Sequence, residues 1–264
     1  MNCRIFIEEP EISGDGAIVT LTGERARYVT RVLRLQEDDR ITLFDGKGAE
    51  YFCAIKEAKG KTLTLSLMEK RVINRESNLK IELCQAVPKG KKMDLIIQKG
   101  TELGVHLFAP FVSSRTISRP DERDCANKVK RWRKVAFEAA RQCGRNIVPA
   151  VNSVTSMKEM LEKVRSEKRE GVLRIMLWEG EETNSLNDVV SKIESPLNAS
   201  GGANRPPKEV VVLIGPEGGF SIDEAAAARD EGFLTVSFGK RLLRTETAGL
   251  AAVSVLQYLW GDLG

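Results

Sequence analysis

The residue pattern best suited to binding a small ligand is Leu213-Ile-Gly-Pro-Glu-Gly-Gly-Phe220, where three glycines and a proline follow an apolar run. Glycines allow a ligand to approach the backbone closely, and Pro216 stiffens the loop. The pattern lacks the Gly-Lys-Ser/Thr of a Walker loop and is not G-x-G-x-x-G, so neither common nucleotide motif applies. It predicts a ligand-binding turn, with a tight turn that binds nothing as the alternative.

A second segment, Phe238 to Gly249, combines a basic loop with the start of a helix. Thr245 is the predicted N-cap, and Glu246 falls in the first turn, where the helix macrodipole favours an acid. This stabilising role accounts for an acid at position 246 without any catalytic or binding role. It does not explain Arg241 and Arg244, because cations are unfavourable at this end of a helix. The basic loop is therefore a candidate for catalysis or binding.

Two further segments are rich in cations. Lys89, Lys91 and Lys92 crowd together before a predicted helix, which makes either a phosphate site or a solvated charge run. Residues 131–145 carry several cations, and Arg145 follows Gly144, a predicted helix C-cap.

A third set of cations lies near the N-terminus, where Arg27, Arg31 and Arg34 are spaced i, i+4, i+7 in a predicted helix over 23–35. This spacing fits a stripe that contacts phosphates or an ordinary solvated face.

The elements that position these residues fall into two regions. Up to about residue 72, strands at 41–44, 51–56 and 62–67 separated by turn signals predict a small β-rich unit. Beyond it, strands alternate with helices, which predicts an α/β fold with a parallel sheet covered on both faces. The glycine-rich turn then lies at the carboxyl end of a parallel strand, where such sheets bind ligands. Residues 198–207 are a predicted surface loop.

The closing helix, 245–260, is apolar nearly all round and rich in small residues, so it should pack closely against either the sheet or a second subunit.

Composition narrows the class of protein. The 264 residues carry a net charge of +4, and five scattered cysteines without a C-x-x-C pair argue against disulfides and a zinc site. No signal peptide is visible, and the longest apolar stretch, 249–260, is too short to span a bilayer. The single histidine, His106, makes a Ser-His-Asp triad improbable, and we expect it to be buried. These features predict a soluble cytoplasmic protein without a metal.

The motifs together resemble the bacterial 16S ribosomal RNA (uracil-N3)-methyltransferases of the SPOUT superfamily. The matching blocks are Lys89-Gly90…Met93…Gln98-Lys99…Glu102-Leu-Gly104, Glu138-Ala-Ala…Gln142…Gly144-Arg145…Pro149, Leu213–Gly219 and Leu243-Arg-Thr-Glu-Thr-Ala248. Val32-Leu-Arg-Leu35 and Leu43-Phe-Asp-Gly46 also fit, so the resemblance covers nearly the whole chain. Tyr28 stands where many members have histidine, and Gly100 and Arg141 also depart from the family pattern.

The resemblance implies a PUA-like RNA-binding β-barrel over 1–72 and a SPOUT methyltransferase domain over 73–264 with a trefoil knot and a parallel sheet. It implies a homodimer with its site near the interface, S-adenosylmethionine as cofactor, and the small ribosomal subunit as partner. Three loops would hold the cofactor through Leu177, Trp178, Leu213, Ile214, Gly215, Pro216, Glu217, Gly218, Gly219, Phe238, Gly239, Leu242, Leu243, Arg244, Thr245, Thr247 and Ala248. RNA would be bound by Arg4, Arg27, Arg31, Arg34, Lys89, Lys91, Lys92 and Arg145.

The predicted reaction is methylation of uridine N3, whose proton must leave before N3 becomes a good nucleophile. We expect Arg244 to stabilise the developing uracil anion or orient the nucleotide, and Glu246 to accept the proton or hold Arg244 in place. Two alternatives stay open: a related SPOUT enzyme that methylates a ribose 2′-oxygen, and a non-catalytic RNA-binding assembly factor.

Overall fold

The computed structural model describes residues 4–7, 12–13, 18–116, 122–167, 169, 171–194 and 206–264. The chain forms two compact units: unit 1 comprises residues 1–76 and 140–148, and unit 2 comprises 77–139 and 149–264. The sequence pattern gave no sign that 140–148 belongs with the N-terminal residues. Most of the predicted surface loop, 198–205, lies outside the described residues.

Unit 1 is built on a six-stranded sheet in the order β1-β4-β5-β6-β3-β2. Its strands are β1 (Arg4–Phe6), β2 (Ile12–Ser13), β3 (Ile18–Thr22), β4 (Arg40–Phe44), β5 (Ala49–Lys59) and β6 (Thr62–Val72). The β1–β4 pair is parallel and the others are antiparallel. Alternation along β6 buries Leu63 and Leu65 completely, as the period-two pattern predicts.

The predicted helix of unit 1 is shorter and less regular than the sequence suggested. Helix α1 (Gly23–Arg27) continues as a single turn of π-helix over Tyr28–Val32, and Arg34 beyond it has a left-handed φ of 55°. A π-helical turn holds more residues than an α-helical turn, so i, i+4, i+7 spacing no longer places side chains on one face. Arg27, Arg31 and Arg34 are exposed, but the prediction that they form one helical stripe is wrong.

Unit 2 contains an all-parallel sheet in the order β10-β8-β7-β12-β11-β13, with β9 also paired to β8, which confirms the predicted class. Its strands are β7 (Lys80–Ala86), β8 (Val105–Val112), β9 (Ala150–Val151), β10 (Thr155–Ser156), β11 (Leu173–Leu177), β12 (Glu209–Ile214) and β13 (Leu234–Val236). Its helices are α2 (Lys92–Glu102), α3 (Glu122–Cys143, whose last four residues belong to unit 1), α4 (Met157–Ser166), α5 (Leu186–Glu194), α6 (Ile222–Asp230) and α7 (Thr245–Trp260). None of the helices in the described ranges is long and apolar enough to cross a membrane.

Helix α7 packs one face on the sheet of unit 2. Gly249 is buried, and a Cβ there would lie 3.1 Å from Oε1 of Gln85 and 3.6 Å from Ile214. The small residue therefore allows close approach of the helix to β7 and β12.

His106 is exposed rather than buried, because strand alternation turns it away from the buried side of Val105 near the amino end of β8.

Candidate active site

The carboxyl ends of β11, β12 and β13 surround two adjoining cavities of about 390 and 320 Å³. Five residues line both cavities: Leu177, Glu179, Leu242, Leu243 and Ala248. Volumes of this size are typical of small-molecule sites. The parallel register of β11 between β12 and β13 brings the three loops together, since the carboxyl ends of parallel strands share one edge.

The glycine-rich loop closes as a tight turn in which the Gly219 N–H donates to the carbonyl of Pro216 at 3.0 Å. Gly219 has φ +65°, and a Cβ there would lie 1.7 Å from Oε1 of Glu179. The Arg115 guanidinium donates to the Gly218 carbonyl at 3.1 Å. The glycines thus meet both a conformational and a spatial requirement.

A buried hydrogen-bond chain supports this loop from below. The Gln85 amide donates to the Thr245 hydroxyl at 2.9 Å, and that hydroxyl donates to the Gly215 carbonyl at 2.6 Å. The prediction that Thr245 is the N-cap is therefore wrong: Arg244 occupies that position, and Thr245, 5% exposed, ties α7 to the loop. Sequence periodicity marks Gln85 only as a strand residue, so its role depends on the tertiary structure.

Charged side chains meet where α2 begins. The Lys92 ammonium donates to Oε1 of Glu217 at 2.9 Å and lies 3.4 Å from Oε2 of Glu246. Burial raises the pKa of the Glu217 carboxyl, but hydrogen bonds from Lys92 and the Lys89 N–H outweigh burial and hold it below its ordinary value. The hydrogen bond to Glu217 likewise raises the pKa of Lys92.

Arg244 differs from Lys92 in having no carboxylate partner. Its guanidinium makes no hydrogen bond or ion pair with any residue of the described ranges, while its carbonyl accepts from the N–H groups of Thr247 and Ala248. It is exposed and lines the larger of the two cavities. An uncompensated cation at a cavity rim is suited to meeting negative charge on a ligand.

The loop after β11 contributes two acids that sequence reasoning missed. Glu179 lines both cavities. Glu181 accepts hydrogen bonds from the hydroxyls of Thr183 (2.6 Å) and Thr235 (2.5 Å), which lower its pKa to about 2. The ionised Glu181 carboxylate holds the loop against β13 through its hydrogen bond from Thr235. Acids in a loop without a motif give no signal of such roles.

Most of the predicted cofactor residues line one or both cavities: Leu177, Trp178, Ile214, Gly215, Pro216, Glu217, Gly218, Gly219, Phe238, Gly239, Leu242, Leu243, Arg244, Thr245 and Ala248. Two predicted cofactor residues, Leu213 and Thr247, and the predicted catalytic residue Glu246 line neither cavity. Leu213 is completely buried in the core of unit 2, Thr247 points to solvent, and Glu246 packs beside Lys92.

The predicted RNA contacts divide into paired and unpaired cations. In unit 1, Arg4 bonds to Glu50 at 2.9 Å and Arg145 is 6% exposed and paired with Glu76, so this placement argues against their contacting RNA. Lys92 is engaged by two carboxylates, as described above. The exposed cations are Arg27, Arg31, Arg34, Lys89 and Lys91.

A larger cavity of about 660 Å³ lies between α4 and α6. It contains none of the predicted site residues. Its charged lining is partly self-paired, with Arg165 3.2 Å from Glu231. The chemistry-bearing residues thus favour the two smaller cavities. Within the described ranges, no group of three or more His, Cys, Asp or Glu side chains could hold a metal ion.

Comparison with known families agrees with this geometry. A family model described as an RNA methyltransferase domain matches residues 75–257, and one described as an RNA methyltransferase PUA domain matches residues 21–68. The chain is 32% identical over 256 residues to "Ribosomal RNA small subunit methyltransferase E" of Bacillus subtilis, covering 97% of this chain and 96% of the relative.

Solved structures give the same result. A ribosomal RNA small subunit methyltransferase E from Neisseria gonorrhoeae, bound to S-adenosylmethionine, has a TM-score of 0.80 at 31% identity. A putative methyltransferase from Legionella pneumophila, in complex with the same cofactor, has a TM-score of 0.81 at 32% identity. Each comparison covers 100% of both chains.

Proposed function

The chain belongs to the ribosomal RNA small-subunit methyltransferase E family, and from this premise we infer that it methylates small-subunit ribosomal RNA with S-adenosylmethionine as the methyl donor. We further propose that the target atom is N3 of a uridine in 16S ribosomal RNA. The observation that carries the proposal is an unpaired arginine, Arg244, at the rim of a glycine-lined cavity.

The residues of the two cavities fit the proposed cofactor. Leu177, Leu242 and Leu243 offer apolar surface to an adenine ring, and the turn at Gly215–Gly219 offers backbone at three glycines that have no side chain of their own. Glu179 and Glu217 bring negative charge to the cavity that would receive a cationic sulfonium and amine. The absence of a Cβ at Gly219 leaves the space that Glu179 occupies.

When bound, S-adenosylmethionine would supply a methyl group from its positively charged sulfur, which would keep the electron pair of the broken carbon–sulfur bond and leave as a neutral thioether. Uracil N3 must lose its proton, and the electron pair left behind forms the new bond to carbon. In this proposal Arg244 stabilises the negative charge that develops on the base, the type of preorganised charge that lowers a barrier most effectively. Backbone contacts that fix the methyl donor and nucleotide in line contribute through proximity.

For Glu246 two roles were predicted, accepting the N3 proton or holding Arg244. The second has no support from a direct contact, because Lys92 rather than Arg244 lies beside its carboxylate in the described part of the chain. We retain the first as a proposal.

We assign RNA docking to residues 1–72, whose unpaired cations Arg27, Arg31 and Arg34 suit a phosphate backbone, and catalysis to residues 73–264. We also propose a homodimer formed through the outward face of α7, where Val255 and Tyr258 are 37% and 66% exposed. The enzyme would work in the cytoplasm, where small subunits are assembled.

The decisive experiment is transfer of labelled methyl to small ribosomal subunits from cells lacking this modification, followed by nucleoside analysis. Label in 3-methyluridine supports the proposal. Label in a 2′-O-methylnucleoside would establish the alternative SPOUT reaction. Absence of both transfer and cofactor binding in calorimetry would leave a non-catalytic RNA-binding protein.

A further inference from the structure

Lys92 occupies a position that local sequence rules disfavour. It is the first residue of α2, where the positive end of the helix macrodipole repels a cation. Its neighbours Lys89 and Lys91 are exposed, whereas Lys92 lies between two carboxylates from different segments. Glu217 belongs to the glycine-rich loop after β12, and Glu246 belongs to the first turn of α7.

The partners of Lys92 show why a cation is needed there. Oε2 of Glu246 is buried and receives no hydrogen bond from the described residues, so the Lys92 charge 3.4 Å away is its compensation. Oε1 of Glu217 receives hydrogen bonds from the Lys92 ammonium and from the Lys89 N–H at 3.1 Å. The ammonium thus joins two of the segments that line the 390 Å³ cavity.

Resting on the function proposed above, we propose that Lys92 is a positioning residue for methyl transfer, which clamps the glycine-rich loop to the start of α7 through Glu217 and Glu246. It acts through these carboxylates and is not an RNA contact. Lys92 then has a different role from Lys89 and Lys91, and neither residue type nor spacing distinguishes the three.

The charged groups facing the clamp determine how it should respond to pH. Glu179 and Arg244 line the same cavity. Asp94 on α2 is paired with Arg131, and Arg115 is bonded to the Gly218 carbonyl. Without the Lys92 ammonium, burial raises the pKa of Glu217, and protonation of Glu217 begins at a higher pH.

The test uses full-length Lys92→Met, which keeps the length of the side chain and removes its charge, and Lys92→Arg, which restores the charge. Cofactor affinity is measured by calorimetry between pH 5.5 and 8. The concentration of small subunits that gives half-saturation is measured from single-turnover methyl transfer. We expect Lys92→Met to weaken cofactor binding about tenfold at pH 7 and more at pH 5.5, as for loss of a charged hydrogen bond. Half-saturation by small subunits should change less than twofold, and Lys92→Arg should recover most of the affinity.

Two companion variants keep the result interpretable. Lys99→Met, on the same helix but paired with Glu102, should leave all readouts unchanged. If Lys92→Met fails to fold, Glu217→Gln, which removes the carboxylate that Lys92 holds, should weaken cofactor binding to the same extent at pH 5.5 and pH 7.

The proposal is overturned if Lys92→Met keeps the wild-type cofactor affinity and pH profile, whether or not it loses affinity for small subunits. Wild-type protein that transfers no methyl group would instead contradict the proposed function, so the two failures are distinguishable.

Discussion

The cations of unit 1 and those around the cavities of unit 2 divide in the same way into paired and unpaired side chains. In unit 1, Arg145 is buried and Arg4 is half-buried, each beside a carboxylate, while Arg27, Arg31 and Arg34 are exposed. In unit 2, Lys92 is held by two carboxylates, while Arg244 has no such partner in the described part of the chain. The comparison shows that what the fold places beside a cation determines whether its charge is already compensated by a carboxylate or is open to a ligand.

The largest effect is expected at the unpaired cation of the active site. Arg244→Ala should lower single-turnover methyl transfer by about 10²–10³-fold, as removal of one preorganised charge-stabilising group does in other enzymes. Thermal unfolding should change little, because Arg244 contributes its backbone, not its side chain, to the start of α7. Lys208→Ala, an exposed cation next to the amino end of β12, is the matched control. Near-normal turnover in Arg244→Ala would contradict the proposal that Arg244 stabilises the negative charge on the base.

A second prediction compares the same backbone conformation in the two units. Gly219→Ala and Gly60→Ala both add a Cβ at positive φ, +65° and +59°. Only at Gly219 does the added carbon meet a neighbour, the carboxylate of Glu179 that lines both cavities.

Each substitution should cost about 1 kcal/mol of stability through backbone strain. Gly219→Ala should in addition weaken cofactor binding by about a hundredfold in calorimetry, roughly 2.7 kcal/mol. Equal cofactor affinity in the two variants would mean that the glycine serves only the turn.

A third prediction separates paired from unpaired arginines within unit 1. The triple variant Arg27→Ala, Arg31→Ala, Arg34→Ala should weaken binding to small subunits about tenfold and reduce the slope of log affinity against log salt by roughly 2. Its unfolding free energy should stay near that of the wild type, since the three side chains are exposed.

Arg145→Met should behave in the opposite way. Leaving Glu76 without its buried partner should cost about 3 kcal/mol in urea unfolding, with the salt slope of RNA binding unchanged. A reduced salt slope for Arg145→Met would restore it as an RNA contact.

The smallest effect concerns the acid-sensitive loop after β11. Hydrogen bonds from Thr183 and Thr235 hold the pKa of Glu181 at about 2, below its ordinary 4.5. Because the folded pKa is the lower one, the stabilisation is complete above pH 4.5 and is lost as the pH falls toward 2. The stability advantage of the wild type over Glu181→Gln should therefore shrink between pH 5.5 and 3.5 in urea unfolding. Glu182→Gln, at the exposed neighbour, should show no such trend.

Sequence alone determined the α/β class, most strands and helices of unit 2, and the glycine-rich turn, because periodicity and glycine requirements are local properties of the chain. The resemblance of the motifs to a known family identified the reaction, and nearly all the cofactor residues it implied line the two cavities, although it missed others such as Glu179 and Glu181. The knot implied by that resemblance stays a prediction.

Only the tertiary structure decided which charged residues are partners. Arg4 and Arg145 look like RNA contacts by type, yet Glu50 and Glu76, remote in sequence, neutralise them. Residue type does not distinguish Lys92 from Lys91, but the fold places Glu217, which follows β12, and Glu246 of α7 beside Lys92. Thr245 has the residue type of an N-cap, but its hydroxyl accepts a hydrogen bond from Gln85 and donates one to the Gly215 carbonyl. The physical reason is that electrostatic and hydrogen-bond energies depend on distances between segments far apart in the chain, which residue type and local spacing do not encode.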